Sequence, residues 1–338
     1  MEEGGCIMTV TKKDIADYLG ISRTAVSLVL NNTPNSTVSE ETRRSILQAA
    51  KELGYRDSEI YPKICYILYN REPDDPLYIH DLRVIENVAS QHGYRLIFMN
   101  VRSSTNDFNM LSKYLGNKEV SGIVLTGDID DDILDIMEDA AVPYVVYSGV
   151  SSNRTDVNVI VTDVVKIAYE ATKYLTDLGH VRIALFSGSL DTLVHQQTLA
   201  GYRKALEEAG IPYDISLVQA SKEEDGYELA SRMEILEIDY SAAFCVNTVI
   251  QFGALQKLKD LGFQVPRKIS LVGWGYSELV KMSVPNLTTL YIGPEEKEIV
   301  VKRLIEIINE GDKDRRTIYL KDTVIHEGGT AALYRSGS

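Results

Sequence analysis

Residues Thr11–Asn31 read TKKDIADYLGISRTAVSLVLN, and this stretch contains two short helical patterns that meet at a glycine. Thr11 followed three residues later by Asp14 resembles a capping box, which begins a helix. Gly20 favours the turn that ends this helix, and Ser22 is a good cap for a second one. The stretch therefore predicts two helices joined by a tight turn.

Apolar residues recur at helical spacing in this region and predict one buried face on each helix. They are Ile15, Ala16 and Leu19 on the first helix, and Ala25, Val26, Val29 and Leu30 on the second. A third helix is predicted from Ser39, with Ile46, Leu47, Ala50 and Leu53 on its apolar side and Gly54 at its end. Three short helices with a glycine in the first turn are typical of the helix-turn-helix, whose second helix enters the DNA major groove. An ordinary small helical bundle is the alternative that spacing alone leaves open.

Six short segments favour the DNA-binding interpretation, because in order they resemble the N-terminal domain of the lactose-repressor (LacI/GalR) family. The segments are 13–16 (KDIA), 20–22 (GIS), 25–27 (AVS), 29–31 (VLN), 38–43 (VSEETR) and 52–55 (ELGY). The resemblance implies a helix-turn-helix domain over residues 9–56 that binds a double-stranded DNA operator. The side chains expected at the DNA lie on the second helix or at helix starts, and they are Thr11, Ser22, Arg23, Thr24, Ser27, Leu28, Asn31, Ser39 and Thr42.

The charge of the chain restricts how it can bind DNA. Its 338 residues are 44% hydrophobic and 25% charged, an ordinary globular mixture long enough for two or three domains. The formal net charge is −14, so the chain as a whole repels nucleic acid. Between Thr9 and Arg56, however, seven basic side chains stand against five acidic ones, a net charge of +2. Hydroxyl groups and backbone amides at helix starts are therefore expected to supply much of the phosphate contact, and binding is expected to depend on dimerisation.

Cysteine usage and the start of the chain predict a cytoplasmic protein that makes no membrane contact. Cys6, Cys65 and Cys245 have no metal or redox spacing, and the last two lie in apolar runs typical of buried thiols. Residues 1–6 lack the basic start and apolar run of a signal peptide, and no segment approaches the length of a membrane span.

An enzyme is not expected from the sequence. It contains no glycine-rich phosphate loop and no nucleophile elbow. The five histidines are scattered without metal-ligand spacing, and they are His80, His92, His180, His195 and His326. We therefore expect no catalytic residue, no metal and no cofactor, and we interpret His180, which follows Gly179 at a helix end, as structural.

Beyond a short polar linker at residues 57–63, apolar runs alternate with amphipathic stretches. The predicted strands are Ile64–Tyr69, Arg95–Asn100, Gly122–Thr126, Tyr144–Tyr147, Val159–Val161, Ile183–Phe186, Ala242–Val246, Ile269–Val272 and Thr317–Leu320. The predicted helices are Leu77–His92, Asn106–Leu115, Asp131–Ala140, Val164–Leu178, Gln196–Ala209, Val249–Leu261 and Glu295–Ile308. This succession predicts an α/β fold with two parallel sheets flanked by helices. A cleft between the two units would lie at the carboxyl ends of their strands, although two packed domains without a ligand would fit the same pattern.

Further segments resemble the effector domain of the same family, whose fold is shared with periplasmic sugar-binding proteins. These segments are 174–180 (YLTDLGH), 183–188 (IALFSG), 200–206 (AGYRKAL), 269–273 (ISLVG) and 285–289 (PNLTT). The resemblance implies a two-lobed periplasmic-binding-protein-like core over residues 64–334, a homodimer, and a cleft closed by a small-molecule effector. It also implies chain crossings between the lobes near 158–163, near 287–292 and near the C-terminal end.

The pocket departs from the family pattern at three positions. Most members carry an arginine where this chain has Thr198, an aspartate where it has Thr248, and an acidic residue where it has Gly275. These changes remove charged and bidentate groups that orient a polyol, so we expect an atypical pocket for a carbohydrate or related metabolite. The remaining candidates for the effector site, each of which could instead be packing, are Tyr69, Asn70, Tyr147, Asp163, Thr198, Asn247, Trp274 and Tyr276.

The DNA-binding region departs from the family as well. The linker is short and lacks the leucine that wedges into the minor groove in operator-bending members, with Ile60 as a poor substitute. Arg23 can bond bidentately to guanine, whereas Leu28 stands where an arginine is usual and could only touch a thymine methyl. The turn at Asn32–Thr37 is longer than usual. We therefore expect a roughly palindromic operator that differs from the common family sequence.

These observations predict a sequence-specific DNA-binding transcriptional regulator, a repressor of the LacI type, controlled by a ligand between the two lobes. The alternative is a regulator whose core responds to a protein corepressor. The departures at Thr198 and Thr248 favour that alternative to some degree.

Overall fold

A computed structural model describes residues 10–30, 38–55, 61–117, 119–148, 156–311 and 314–335. The N-terminal unit contains three helices: α1 (Lys12–Leu19), α2 (Arg23–Leu30) and α3 (Glu40–Glu52). The predicted turn at Asn32–Thr37, most of the predicted linker including Ile60, and Cys6 lie outside the described residues.

The predicted helix caps of the N-terminal unit are present. The Thr11 amide and hydroxyl both donate to the Asp14 carboxylate, at 2.6 and 2.8 Å, and the Thr11 hydroxyl accepts from the Asp14 amide. These hydrogen bonds to Thr11 lower the pKa of Asp14. Gly20 ends α1 at φ 66°, a conformation that only glycine adopts without strain. The Ser22 hydroxyl accepts from the Ala25 amide at 3.1 Å and begins α2.

The three helices enclose a small hydrophobic core. Its buried members are Ile15, Ala16, Val26, Val29, Leu30, Ile46, Ala49 and Ala50. The prediction for Leu47 was wrong, because this side chain is 40% exposed. Leu47 is one residue, or about 100° of helix, past Ile46, so it turns away from the core, and Ala49 fills that side of α3 instead.

The rest of the chain forms two lobes, each built on a six-stranded sheet. The strands, in chain order, are β1 (Lys63–Tyr69), β2 (Arg95–Val101), β3 (Gly122–Gly127), β4 (Tyr144–Ser148), β5 (Val159–Thr162), β6 (Ile183–Ser187), β7 (Val218–Ala220), β8 (Ala242–Cys245), β9 (Ser270–Trp274), β10 (Thr288–Ile292), β11 (Thr317–Leu320) and β12 (Thr323–His326). The sheet of the first lobe has the order β11-β5-β4-β3-β1-β2, and that of the second has the order β12-β10-β9-β8-β6-β7.

Helices cover these sheets. They are α4 (Pro76–Gln91), α5 (Thr105–Gly116), α6 (Asp131–Ala140), α7 (Val164–Asp177), α8 (Leu193–Glu208), α9 (Gly226–Ile235), α10 (Thr248–Asp260), α11 (Glu278–Met282) and α12 (Pro294–Glu310). Parallel pairing dominates both sheets, and the exception among the described pairs is the antiparallel contact of β10 with β12. Each lobe has its own buried apolar cluster, as an α/β layer structure requires.

The chain crosses between the lobes three times, as the family resemblance predicted. The first crossing follows β5, since β5 belongs to the first sheet and α7 packs in the second lobe. The second follows β10, because α12 packs on α4 and β3 of the first lobe. The third lies between β11 and β12, which belong to different sheets.

Five elements of the core were missed by the prediction: β7, α9, β10, α11 and β12. Each is short or weakly patterned, with β7 only three residues long and α11 only five. Short segments form too few hydrophobic repeats to be recognised, and their conformation depends on the sheet that receives them. Helix α8 also begins three residues earlier than predicted, at Leu193.

Buried polar groups confirm two expectations about single residues. Cys65 and Cys245 are buried free thiols, and burial raises the pKa of Cys65 to about 12. The His180 ring is also buried, with Nε2 donating to the carbonyl of Ala332 at 3.2 Å and Nδ1 accepting from the hydroxyl of Ser241 at 3.0 Å. This neutral histidine ties the end of α7 to the C-terminal segment, which is a structural role.

Acidification is expected to destabilise the core through His180. Burial lowers the pKa of His180, whereas the unfolded chain has the ordinary value of about 6.5. The unfolded state therefore binds more protons as the pH falls through about 6.5 towards the folded-state pKa, and stability is lost in that window. Urea unfolding at about pH 7.5 and about pH 5.5 measures the loss of unfolding free energy between the two pH values. This loss should be smaller for His180→Gln than for the wild type, and an equal loss would contradict the role given to His180.

Candidate functional site

The exposed surface of α2 is concentrated at its N-terminal end. Ser22, Arg23 and Thr24 are exposed, while Ser27 and Leu28 are half-buried. The opposite side of α2 fills the three-helix core, so the exposed residues are held on a rigid element. Asn31 lies outside the described residues. This arrangement matches the end of a recognition helix that contacts base edges.

The other predicted DNA-contact residues lie at helix N-termini. Thr11 precedes α1, and Ser39 accepts from the Thr42 amide at the start of α3. The hydroxyls of Ser39 and Thr42 also bond to each other at 2.8 Å. Hydroxyls and backbone amides at a helix N-terminus are suited to an anion such as a phosphate. These caps can thus serve both helix stability and DNA contact.

A second candidate site is a cavity of about 690 Å³ in the core. It is lined by the loops and helix starts that follow β1, β3, β6, β7, β8 and β9, together with side chains of β4, β5, β10 and α12. The carboxyl ends of parallel strands from both lobes therefore open into one space, which is where α/β proteins bind ligands.

Five of the eight predicted effector residues line this cavity: Tyr147, Thr198, Asn247, Trp274 and Tyr276. The Thr198 hydroxyl donates to the carbonyl of Val194, one turn earlier in α8, at 2.9 Å. Thr248, another departure from the family, is fully buried, and its hydroxyl bonds to that of Ser277 at 2.8 Å. The hydroxyls at both departure positions are therefore used inside the protein.

The structure does not place Tyr69, Asn70 and Asp163 among the lining residues. Tyr69 is buried in the first lobe, where its hydroxyl donates to Asp130 at 2.7 Å. Asn70 adopts φ 54° and accepts from the Ser103 amide at 2.7 Å, so it shapes the turn after β1. Asp163 caps α7 by accepting from the Lys166 amide at 2.9 Å. Each polar group is occupied by a structural hydrogen bond.

The cavity is charged, contrary to the expectation that the departures had removed its charged groups. Ionisable side chains from strand ends and from helices α4, α8 and α12 line it: Arg71, Asp81, Asp128, Asp191, His195, Lys222, Glu224 and Lys297. The guanidinium of Arg71 lies 3.3 Å from Asp75 and 3.8 Å from Asp128. Burial, opposed by Arg71 and reinforced by Glu224, raises the pKa of Asp128. Lys297 is paired with Asp81 and is almost completely buried.

Glu224 and His195 form the polar side of the second lobe. Asn247 donates to Glu224 Oε2 at 2.7 Å, and its side-chain oxygen accepts from the Ile250 amide at 2.8 Å, so one amide both caps α10 and holds the carboxylate. His195 Nε2 lies 3.9 Å from Glu224 Oε1. Desolvation by burial lowers the pKa of His195, against the opposing effect of Glu224.

Aromatic side chains form another wall of the cavity. Tyr276 and Tyr291 have ring centroids 4.7 Å apart, and Trp274 lies next to them on the lining. His80 of α4 lies 5.4 Å from the Tyr276 ring and so joins the two lobes, as does the ion pair of Arg83 with Glu278. Aromatic faces of this kind pack against flat or apolar parts of a ligand.

The sequence analysis missed several ionisable residues of the cavity, although some of them carried a recognisable signal. Arg71 and Asp128 follow β1 and β3 directly, so the rule that ligands contact strand ends would have selected them. Glu224 follows β7, which was not predicted, and it therefore had no strand end to mark it. His195 lies three residues before Thr198 on α8, and the scattered spacing of the histidines concealed its position in the cavity.

The described residues carry neither a metal site nor a membrane span. No cluster of three or more His, Cys, Asp or Glu side chains among them could hold a metal ion. None of the helices in the described part of the chain has the length and apolar character needed to cross a bilayer.

Comparison with known proteins identifies both parts of the chain. Residues 61–305 match the family described as periplasmic binding proteins and sugar binding domain of LacI family, and residues 11–58 match bacterial regulatory proteins, lacI family. The HTH-type transcriptional repressor PurR of Vibrio parahaemolyticus is 30% identical over 316 residues, which cover 90% of this chain and 92% of that protein. The HTH-type transcriptional regulator DegA of Bacillus subtilis is 30% identical over 302 residues, which cover 84% and 86%.

A solved structure supports the same fold. The lac repressor dimer bound to operator and the anti-inducer ONPF superposes with a TM-score of 0.68 at 22% sequence identity, over 96% of this chain and 99% of that one. A helix-turn-helix unit with a two-lobed ligand-binding core defines a class of DNA-binding transcriptional regulators. Within that class, this chain belongs to the LacI family.

Membership of this family decides between the functional alternatives. LacI-family regulators bind operator DNA, dimerise and bind small-molecule effectors. The matched relatives are transcriptional regulators and not enzymes. A core controlled by a protein corepressor is not favoured, because the matched core domain is the sugar-binding domain of the family.

Asn247 is expected to stabilise the core measurably. Asn247→Ala removes the cap of α10 and the donor to Glu224, and should lower the unfolding free energy by about 1 to 2 kcal/mol. Asn247→Asp keeps the capping oxygen and serves as the control, although its charge repels Glu224. Urea unfolding of both variants measures the difference, and a wild-type midpoint for the alanine variant would show that the cap contributes nothing.

Proposed function

We propose that the protein is a homodimeric transcriptional repressor of the cytoplasm that binds a roughly palindromic operator. Its affinity for the operator falls or rises when a small metabolite enters the cleft. The proposal assigns DNA binding to residues 9–56, a linker to residues 57–63, and ligand binding and dimerisation to residues 64–334. The observation that carries it is the exposed N-terminal end of α2 on a buried three-helix core, in the same chain as a polar cleft lined by strand ends of two lobes.

Arg23 is the residue that we assign to base recognition. It is the exposed cation at the start of α2, and a guanidinium can donate two bonds to guanine O6 and N7. Thr24 and Leu28 would contact neighbouring bases, whereas Ser22, Ser27 and Asn31 would contact the groove or the backbone. Thr11, Ser39 and Thr42 would bind phosphates from helix N-termini.

The cleft would control DNA binding by differential affinity. A ligand that contacts both lobes stabilises the arrangement in which those contacts form, and it can shift the equilibrium only by the difference in its affinity for the two arrangements. Tyr147 in the first lobe and Thr198, Asn247, Trp274 and Tyr276 in the second would contact the ligand, together with the charged side chains that line the same space. A carbohydrate or a related polar metabolite fits this lining.

An exposed apolar surface on the second lobe supports dimerisation. Met282 is 76% exposed and Val284 is 75% exposed, next to a shallow groove lined by Phe263, Val265 and Pro285 among others. Contiguous exposed apolar surface of this kind usually marks an interface. Since LacI-family regulators dimerise, we assign this surface to a second copy of the chain.

Arg23→Ala should weaken sequence-specific DNA binding. Operators selected by the wild-type protein from a random DNA library should bind this variant about tenfold or more weakly, because the lost base contact is worth about 1 to 3 kcal/mol. Arg44→Ala removes the same charge from the exposed side of α3 and is the matched control. Fluorescence anisotropy on specific and scrambled duplexes measures the DNA affinity of both variants. Equal losses of affinity for the specific duplex would reject the assignment of Arg23 to base recognition.

Charges in the apolar surface should separate the dimer. The double variant Met282→Glu with Val284→Glu should sediment as a folded monomer at micromolar concentration, because four carboxylates would meet in the interface. Ile235→Glu with Leu236→Glu changes another exposed apolar pair and should leave the dimer intact. A dimeric first variant, or a monomeric wild type, would refute the assignment.

A further inference from the structure

His195 has an unusual hydrogen-bond arrangement in the cleft. The residue is only 9% exposed, and its Nδ1 lies 3.1 Å from the carbonyl oxygen of Ser189 and 2.8 Å from the hydroxyl of Thr192. The Thr192 hydroxyl donates to the same carbonyl oxygen at 3.0 Å, and this oxygen can only accept, so we assign a hydrogen to Nδ1. In the neutral ring the other nitrogen, Nε2, therefore presents a lone pair. His195 is among the residues that line the cavity, and no residue in the described ranges donates a hydrogen bond to Nε2.

The group that faces this lone pair is also an acceptor. Glu224 Oε1 lies 3.9 Å from His195 Nε2, beyond hydrogen-bond distance. The ring is confined, because a Cβ atom on Gly188 would lie 2.2 Å from its Cε1 atom. Two acceptors thus lie 3.9 Å apart on residues that both line the cavity. Such a gap is completed by a group that donates to both.

The position of Glu224 is maintained at a conformational cost. Its backbone has φ 53°, a region that a residue with a side chain rarely adopts. Asn247 holds the second carboxylate oxygen, Oε2, at 2.7 Å. Strained residues that are held in place by their neighbours are common at ligand sites. The carboxylate is therefore presented to the cavity by the fold.

The surrounding charges favour a cation over an anion. Across the cavity, Arg71 is shared between Asp75 and Asp128 of its own lobe and also faces Glu224. Lys297 is neutralised by its partner Asp81. Among all the ionisable residues of the lining, the carboxylates Asp81, Asp128, Asp191 and Glu224 outnumber the basic side chains Arg71, Lys222 and Lys297.

We propose that the effector carries a primary ammonium group, bound between His195 Nε2 and Glu224 Oε1, with its carbon frame against Trp274 and Tyr276. This inference rests on the proposed ligand-controlled function. An ammonium group has three donors and no lone pair, so it can bond to both acceptors and keep a third donor for Asp128 or water. A hydroxyl can donate to only one of them, and a phosphate would bring negative charge to the carboxylates.

A protonated His195 paired directly with Glu224 is the rival arrangement. The groups that face His195 are Glu224 and Asp128, which favour its charged form, and Arg71, which disfavours it. Burial outweighs them and lowers the pKa of His195, so the ring is neutral at neutral pH and Nε2 remains an acceptor. The amine is then bound most tightly near neutral pH and is released as His195 becomes protonated on acidification.

The test is a thermal-shift screen followed by calorimetric titration of the full chain at neutral pH. The probes are glucosamine, galactosamine and tyramine, each beside its N-acetyl derivative, with glucose and glucose 6-phosphate as neutral and anionic references. At least one amine should raise the Tm and bind at least about tenfold more tightly than its N-acetyl derivative, because acetylation removes the charge and two of the three donors. A screen in which no amine binds more tightly than its N-acetyl derivative overturns the proposal.

Two matched variants locate the amine. In Glu224→Gln the amide oxygen can still accept from Asn247 while its NH₂ donates to His195, so the protein itself supplies the missing donor. This variant should fold with an unchanged or higher Tm and bind the amine about tenfold or more weakly. Glu237→Gln makes the same change at an exposed residue that also has a left-handed backbone, φ 52°, and should bind like the wild type. Equal affinity of both variants would overturn the assignment to Glu224.

The remaining outcomes separate this inference from the function on which it rests. If glucose or glucose 6-phosphate binds and no amine does, the ligand-controlled core stands and the ammonium site is rejected. If no probe of any charge shifts the Tm, the ammonium site is rejected and the ligand-controlled core gains no support. Operator binding, tested through Arg23, is unaffected by either result.

Discussion

The central constraint on this molecule is that its chain passes between the two lobes of the core three times. The crossings after β5, after β10 and between β11 and β12 restrict the lobes to a hinge-like opening and closing. They also fix which ends of the strands meet. Because both sheets are mostly parallel, nearly all the side chains that can reach a ligand come from carboxyl ends that open into one cavity.

The cavity has charged groups, but they lie at other positions than the family resemblance predicts. At positions where the family resemblance predicts charged groups, this chain has Thr198 and Thr248, whose hydroxyls bond within the protein. Charge instead comes from other strand ends, above all Arg71 and Asp128 in the first lobe and Glu224 in the second. A site built this way keeps the family architecture while selecting for a different distribution of donors and acceptors. Shared fold therefore supports a shared mode of control and leaves the ligand to the particular side chains.

The charge of the DNA-binding unit limits how strongly it attracts DNA. Its net charge of +2 is small beside the −14 of the whole chain, so long-range attraction to DNA is weak. Affinity must come from short-range contacts that the fold orients, namely the exposed end of α2 and the capped helix starts. The hydroxyl caps that begin the helices are also the groups that we propose to contact phosphates, which would link the stability of the unit to its function.

The sequence by itself determined the features that depend on neighbouring residues. The capping box at Thr11, the turn at Gly20, most of the helix faces and the longer strands were all predicted, because a few adjacent residues decide them. The error at Leu47 and the missed strand β7 show the limit of that local information.

Only the tertiary structure decided the composition of the cleft. Arg71, Asp128, His195 and Glu224 are distant in sequence and meet because the sheet order and the three crossings bring their strand ends together. Tyr69, Asn70 and Asp163 had suitable chemistry, but structural hydrogen bonds occupy their polar groups, and the partners of Tyr69 and Asn70 are themselves distant in sequence. Local patterns determine secondary structure because its hydrogen bonds are short in sequence, whereas the contents of a cavity depend on which distant strands the fold places side by side.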